Sequence, residues 1–161
     1  MAATSSELWK KAKALDFTIQ HESWGSYEVD DDVVVRARTV LLQLLKIPGE
    51  SGQPTQYAPS AAVLVAVDAP FKIRRAPTDP PPSPDKVQAT DKAEAQFRAL
   101  DEPWNEYIFD DSGPKLIRIK LVVSGITRVL GLYDGLGAPI FQLSHATVVA
   151  PPVPRKVNPG K

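Results

Sequence analysis

Two basic pairs, Arg36/Arg38 and Arg118/Lys120, are the residues whose spacing best fits chemistry in this chain. At i, i+2 on an extended strand, both members of a pair share one face. Trp24, Tyr27, Trp104 and Tyr107 lie near them in sequence, and Lys72, Arg74 and Arg75 add further positive charge. Basic strand faces beside aromatic rings can hold single-stranded nucleic acid, by neutralising phosphates and stacking bases. The competing reading is a solvated strand face above buried aromatics. In that reading Trp24, Tyr27, Trp104 and Tyr107 anchor a helix to a sheet, or mark a seam between two units. The chain carries 19 basic and 19 acidic residues, so no whole-molecule attraction to nucleic acid is expected. The structural role comes first.

Other constellations are sparse. His21 and His145 lack the paired spacing of a metal site and read as surface or turn residues. Asp30, Asp31 and Asp32, with Asp110 and Asp111, could be imagined as oxygen ligands or paired acids. Aspartate is also a favoured turn residue, and adjacent acids point apart on extended backbone. There is no cysteine, which removes disulfides, thiolate metal sites and a thiol nucleophile together. No glycine-rich phosphate loop or nucleophile elbow is present. The sequence therefore assigns no catalytic residue, no cofactor and no metal.

The elements that would position these residues are written twice. Residues 22–31 (ESWGSYEVDD) and 102–111 (EPWNEYIFDD) share Glu, Trp, Tyr and both Asp at an offset of 80. At an offset of 82, Val34, Val35, Arg36 and Ala37 lie over Leu116, Ile117, Arg118 and Ile119. Further on, Gly52-x-Pro54 meets Gly137-x-Pro139, and Val63 aligns with Val148. The shifts in offset fall at turns, where insertions are cheapest.

In each copy the apolar period is two along the central stretch. Val35, Ala37, Thr39 and Leu41 share one face, as do Ile117, Ile119, Leu121 and Val123. A third strand is expected over 61–67 and again over 146–150. Helix starts are read at Thr4-Ser-Ser-Glu7 and Asp91-Lys-Ala-Glu94, with Leu8, Ala12 and Leu15, and later Ala93, Phe97 and Leu100, as the buried stripes. The expected fold is mainly β: a duplicated helix-plus-three-strand meander, packed into a pseudo-two-fold barrel or sandwich. The expected organisation is a first copy over 1–70, a proline-rich tether over 71–90 with extended polyproline II across 75–88, a second copy over 91–150 and a proline-rich basic tail over 151–161.

The composition, 43% hydrophobic and 24% charged, is that of a core-forming chain. No basic segment followed by an apolar one opens it, and no stretch reaches the roughly 20 apolar residues of a spanning helix. Cytoplasmic residence without a membrane is expected. The leading functional expectation is a non-enzymatic structural or protein-interaction subunit, part of a larger assembly, with a protein partner or its own copies. The alternatives are a small β-barrel nucleic-acid binder and an enzyme or ligand-binding protein with its site at the seam between copies.

Overall fold

The structure, a computed structural model, describes residues 5–156. A single-turn helix, α1 (Ser5–Lys10), leads into β1 (Lys13–Leu15) and β2 (Phe17–His21). β3 (Gly25–Val29), β4 (Val33–Ile47) and β5 (Gln56–Asp68) follow. A short helix α2 (Pro84–Ala89) interrupts the connection to β6 (Lys92–Ala95), β7 (Phe97–Asp101) and β8 (Trp104–Asp110). Two long strands, β9 (Pro114–Tyr133) and β10 (Pro139–Pro154), complete the chain.

The strands form two open antiparallel sheets packed as a sandwich, not a closed barrel. In the first sheet β5 lies along one edge of β4, while β1 and β3 share the other edge end to end. In the second, β10 lies along one edge of β9, while β6 and β8 share the other. The remaining two strands change places. β7 pairs with β3 in the first sheet, and β2 pairs with β8 in the second. Each half of the sequence thus contributes a strand to the sheet built mainly by the other half. The chain crosses between sheets over one residue, Asp16 in the first half and Gln96 in the second. At Gln96 the corner is held by Asp30, whose Oδ2 accepts from Gln96 N–H at 3.0 Å, while Asp30 N–H donates to Gln96 O at 3.3 Å.

The core lies where alternation places it, with Val35, Ala37, Thr39 and Leu41 buried, and Ile117, Ile119, Leu121 and Val123 likewise. Burying such a face against a second sheet is the main favourable term in a fold of this kind. The core divides into two clusters. One joins Tyr27, Val35 and Phe97 to Leu121, Val123 and Ile126. The other joins Tyr107, Ile117 and Phe17 to Leu41 and Leu44. Matching edge-to-face ring pairs mark them: Tyr27 with Phe97 at 6.2 Å between centroids, and Phe17 with Tyr107 at 5.8 Å.

Several expectations are overturned. No helix covers 91–100; those residues form β6, the crossing and β7. The first helix ends at Lys10, so Ala12 and Leu15 lie beyond it, and its Thr4 cap falls outside the described residues. Pieces of four and five residues on either side of a sheet crossing cannot support a helical stripe, and pairing with β9 and β3 satisfies their backbone instead. The tether is not polyproline throughout. It holds one 3₁₀ turn (Phe71–Ile73) and α2, with Pro84 in the first turn and the Ser83 side chain capping Lys86 N–H. Its first half is tied to the β9–β10 turn by Arg75 N–H donating to Gly137 O at 2.9 Å. The C-terminal prolines 151, 152 and 154 belong to β10, and residues 157–161 lie outside the described part. Pairing also shifts the repeat by one at its end. Val63 opposes Thr39 as Thr147 opposes Leu121, so Val63 corresponds to Thr147, and Leu64 to Val148.

Candidate interaction surfaces

Arg36 and Arg38 alternate with core-facing residues and so stand on the outer face of the first sheet. Both guanidinium groups lie over the Trp24 ring, at 5.7 and 5.9 Å from its centroid. Arg118 and Lys120 stand over Trp104 in the same way on the outer face of the second sheet, at 5.1 and 5.8 Å. Such contacts are favourable at a surface and also occupy the ring face a nucleobase would need. The two basic sets are carried by different layers of the sandwich and do not join into one track.

Tyr27 and Tyr107 point into the core instead, where the halves interlock. The Tyr107 hydroxyl donates to Glu22 Oε2 at 2.7 Å, and the Tyr27 hydroxyl donates to Glu102 Oε1 at 3.1 Å. Glu22 is nearly sealed, with its side chain 4% exposed, and also accepts from Arg38 Nε at 2.8 Å. Glu22 therefore links the outer Arg38–Trp24 stack to the aromatic core of the opposite sheet. Burial, reinforced by the neighbouring carboxylate, holds both phenols far above their usual range. They stay protonated and donating at ordinary pH. The stability they contribute is present below the usual tyrosine range and is lost as pH rises through the folded values. Sequence reading passed over Glu22 and Glu102, although both recur two residues before a repeated Trp.

Arg74 and Arg75 turn back onto their own segment, and Lys72 reaches the turn between β3 and β4. Lys72 Nζ lies 3.5 Å from Asp32 Oδ2, Arg74 Nε donates to Ala69 O, and Arg75 donates to Lys72 O and Arg74 O. Beside them Phe71 is 91% exposed. Asp30 and Asp32 are the first and last residues of a 3₁₀ turn, and Asp110 Oδ1 accepts from Gly113 N–H. Asp111 accepts from Lys46 Nζ at 2.6 Å and from the Tyr57 hydroxyl. These bonds hold its carboxyl below the usual range and raise the Lys46 ammonium. Among the described residues no group of three or more acids and histidines is placed to hold a metal ion. His21 Nε2 lies 3.1 Å from Ser23 Oγ, and His145 is exposed on β10.

The Asp111 pair gives a signed pH response. A carboxylate lowered in the folded state stabilises above its unfolded pKa, and that contribution is lost as pH falls through the folded value. Urea midpoints of the native chain and Asp111→Asn are therefore expected to differ at pH 7 and to draw together as pH falls below the usual carboxylate range. A gap that stays constant across this range would exclude the linkage.

The least expected surface is formed by β5 and β10. Among the described residues each pairs on one side only, β5 with β4 and β10 with β9. Residues 56–67 carry no charge, and residues 139–154 carry no ionisable group but His145, in a chain that is 24% charged. At equivalent positions Leu64 and Val65 are 49% and 44% exposed, and Val148 and Val149 are 43% and 38% exposed. The two strands approach each other at one side of the sandwich, where a cleft of about 430 Å³ lies between Val63 and Val65 of β5 and Phe141, Leu143 and His145 of β10. The other outer strands are short, three to five residues each, and β7 carries Arg98 and Asp101. Short, charged edges resist pairing, whereas long apolar ones invite it. The charge-free runs were visible in the sequence, but side-chain alternation reports a strand's face and not whether its edge is occupied.

Fold and surface together define an open, strand-exchanged β-sandwich with two unguarded edges. Comparison with protein-family models, with curated proteins and with solved structures returns no match.

Proposed function

We propose that this chain is a non-enzymatic protein-interaction subunit that engages its partner by adding a strand at the β5 or β10 edge. The single observation that supports this is the pair of long, one-sidedly paired strands with charge-free runs and exposed apolar residues on both faces. Main-chain hydrogen bonds to such an edge supply affinity, and alternate side chains supply selectivity. Protein is favoured over nucleic acid because the basic pairs stack on Trp24 and Trp104 on separate layers, and Arg38 is neutralised by Glu22.

Hydrogen exchange tests this reading. Addition of an uncharged peptide of alternating Thr and Val is expected to slow exchange of amides in 60–66 or 144–150. The effect is expected to vanish in the doubly charged variant Leu64→Lys/Val148→Lys, whose exposed substitution sites leave the core intact. Edge amides unaffected by the peptide in the native chain would rule the reading out.

A further inference from the structure

Resting on that reading, we infer that β10 pairs antiparallel with β10 of a second copy, about a two-fold axis at Thr147. The two open edges are not equal. β5 begins its free run after Pro59, and Pro81 and Pro82 of the tether line a cleft with Val65, Ala66 and Val67 at its far end. On β10 the cleft shared with Val63 and Val65 of β5 reaches Ser144 and His145 without any proline in its lining, and all six residues over 144–149 are exposed, the longest such run in any described strand. Its prolines lie outside this window, at Pro139 and from Pro151 onward.

The occupant follows from what a two-fold demands. Near the axis each residue meets itself or a close neighbour, so any charge there meets its like. The segment Ser144–His–Ala–Thr–Val–Val–Ala150 carries no fixed charge and contains the six consecutive exposed residues of β10. With Thr147 on the axis, Thr147 opposes Thr147 of the second copy, a favourable cross-strand pair. Ala146 then opposes Val148, small against large, on the outer face. Ser144 opposes Ala150 on the same face, and His145 opposes Val149 on the inner one. No proline falls inside the ladder. The second sheet would then continue unbroken from one copy into the next.

The absence of cysteine makes the test direct. Directly opposed residues of an antiparallel pair lie about 4.5–5.5 Å apart between Cα atoms, within the reach of a disulfide. Thr147→Cys is expected to form a covalent dimer on mild oxidation, and Leu64→Cys on β5 is expected not to. Light scattering of the native chain is expected to give twice 17.5 kDa, and Ala146→Lys, which sets like charge beside the axis, to return it to one copy with unchanged circular dichroism. Its dimer dissociation constant is expected to rise by at least about tenfold. A dimer that cross-links through Leu64→Cys and not Thr147→Cys would overturn the β10 pairing. A native chain monomeric at about 100 µM would overturn it as well. In that case slowed exchange with the Thr/Val peptide leaves the edge reading standing without self-pairing, and no slowing removes both.

Discussion

Tyr107→Ala is expected to lower stability by about 3–5 kcal/mol, the range for removing a large aromatic from a core. Tyr107 is fully buried and stacks edge-on against Phe17, which arrives from the other half of the chain. The subtler variant separates packing from polarity. Tyr107→Phe keeps the ring and deletes the donor to Glu22, whose nearly sealed carboxylate then keeps only Arg38 as a partner. Losing one bond at a buried charge costs about 1–3 kcal/mol. Tyr27→Phe is expected to cost less, because Glu102 is only half-buried and can turn to water. Urea midpoints of the three variants, with a double-mutant cycle adding Glu22→Gln, measure this ordering. Equal losses for Tyr27→Phe and Tyr107→Phe would show that the sealed Glu22 is not the source of the difference.

The second large effect is expected at Gly137. Gly52 and Gly137 occupy the turns between the long strands of each half, with φ of +83° and +78°. Alanine in this region costs about 1–2 kcal/mol for its backbone alone. At Gly52 nothing lies within 4 Å of an added Cβ, so the cost should end there. At Gly137 the added Cβ would come within 2.1 Å of Arg75 O, where the tether is bonded to the turn. That backbone has to move, and losing its bond adds about 1–3 kcal/mol. Gly137→Ala should therefore lower the melting temperature clearly more than Gly52→Ala and open residues 75–83 to protease. Matched losses at the two sites would mean that the tether is not fastened there.

The alternation along 33–41 and 116–123 placed the core faces, because one face of each strand must be buried whatever its neighbours are. The segment 91–100 was opaque. Ala93, Phe97 and Leu100 match a helical stripe, yet Ala95 and Phe97 both reach the core at strand spacing on either side of the crossing at Gln96. A crossing of one residue leaves each piece too short for its period to be read. The exchange of β2 and β7 was hidden for another reason: the pattern of a strand says which side is buried, not which strand lies beside it. Of the candidate surface, the basic pairs were legible as strand faces. Their stacking on Trp24 and Trp104, and the partnership with Glu22, depend on the turn that brings residues 22–24 beside β4.

The exchanged strands also set an order of events during synthesis. When Asp68 has left the ribosome, β3, β4 and β5 are present, but the neighbour that closes β3 lies at Phe97–Asp101. β2 is complete earlier still and has no partner until Trp104–Asp110 emerges. At about 5–20 residues per second the nascent half waits several seconds with apolar strand edges open. The first half is thus a receiver that cannot finish folding by itself, and the tether fixes how far the missing strand must travel. Pairings of such long sequence separation place the chain among slow-folding β topologies. During that interval the same unguarded edges are open to pairing with a wrong strand.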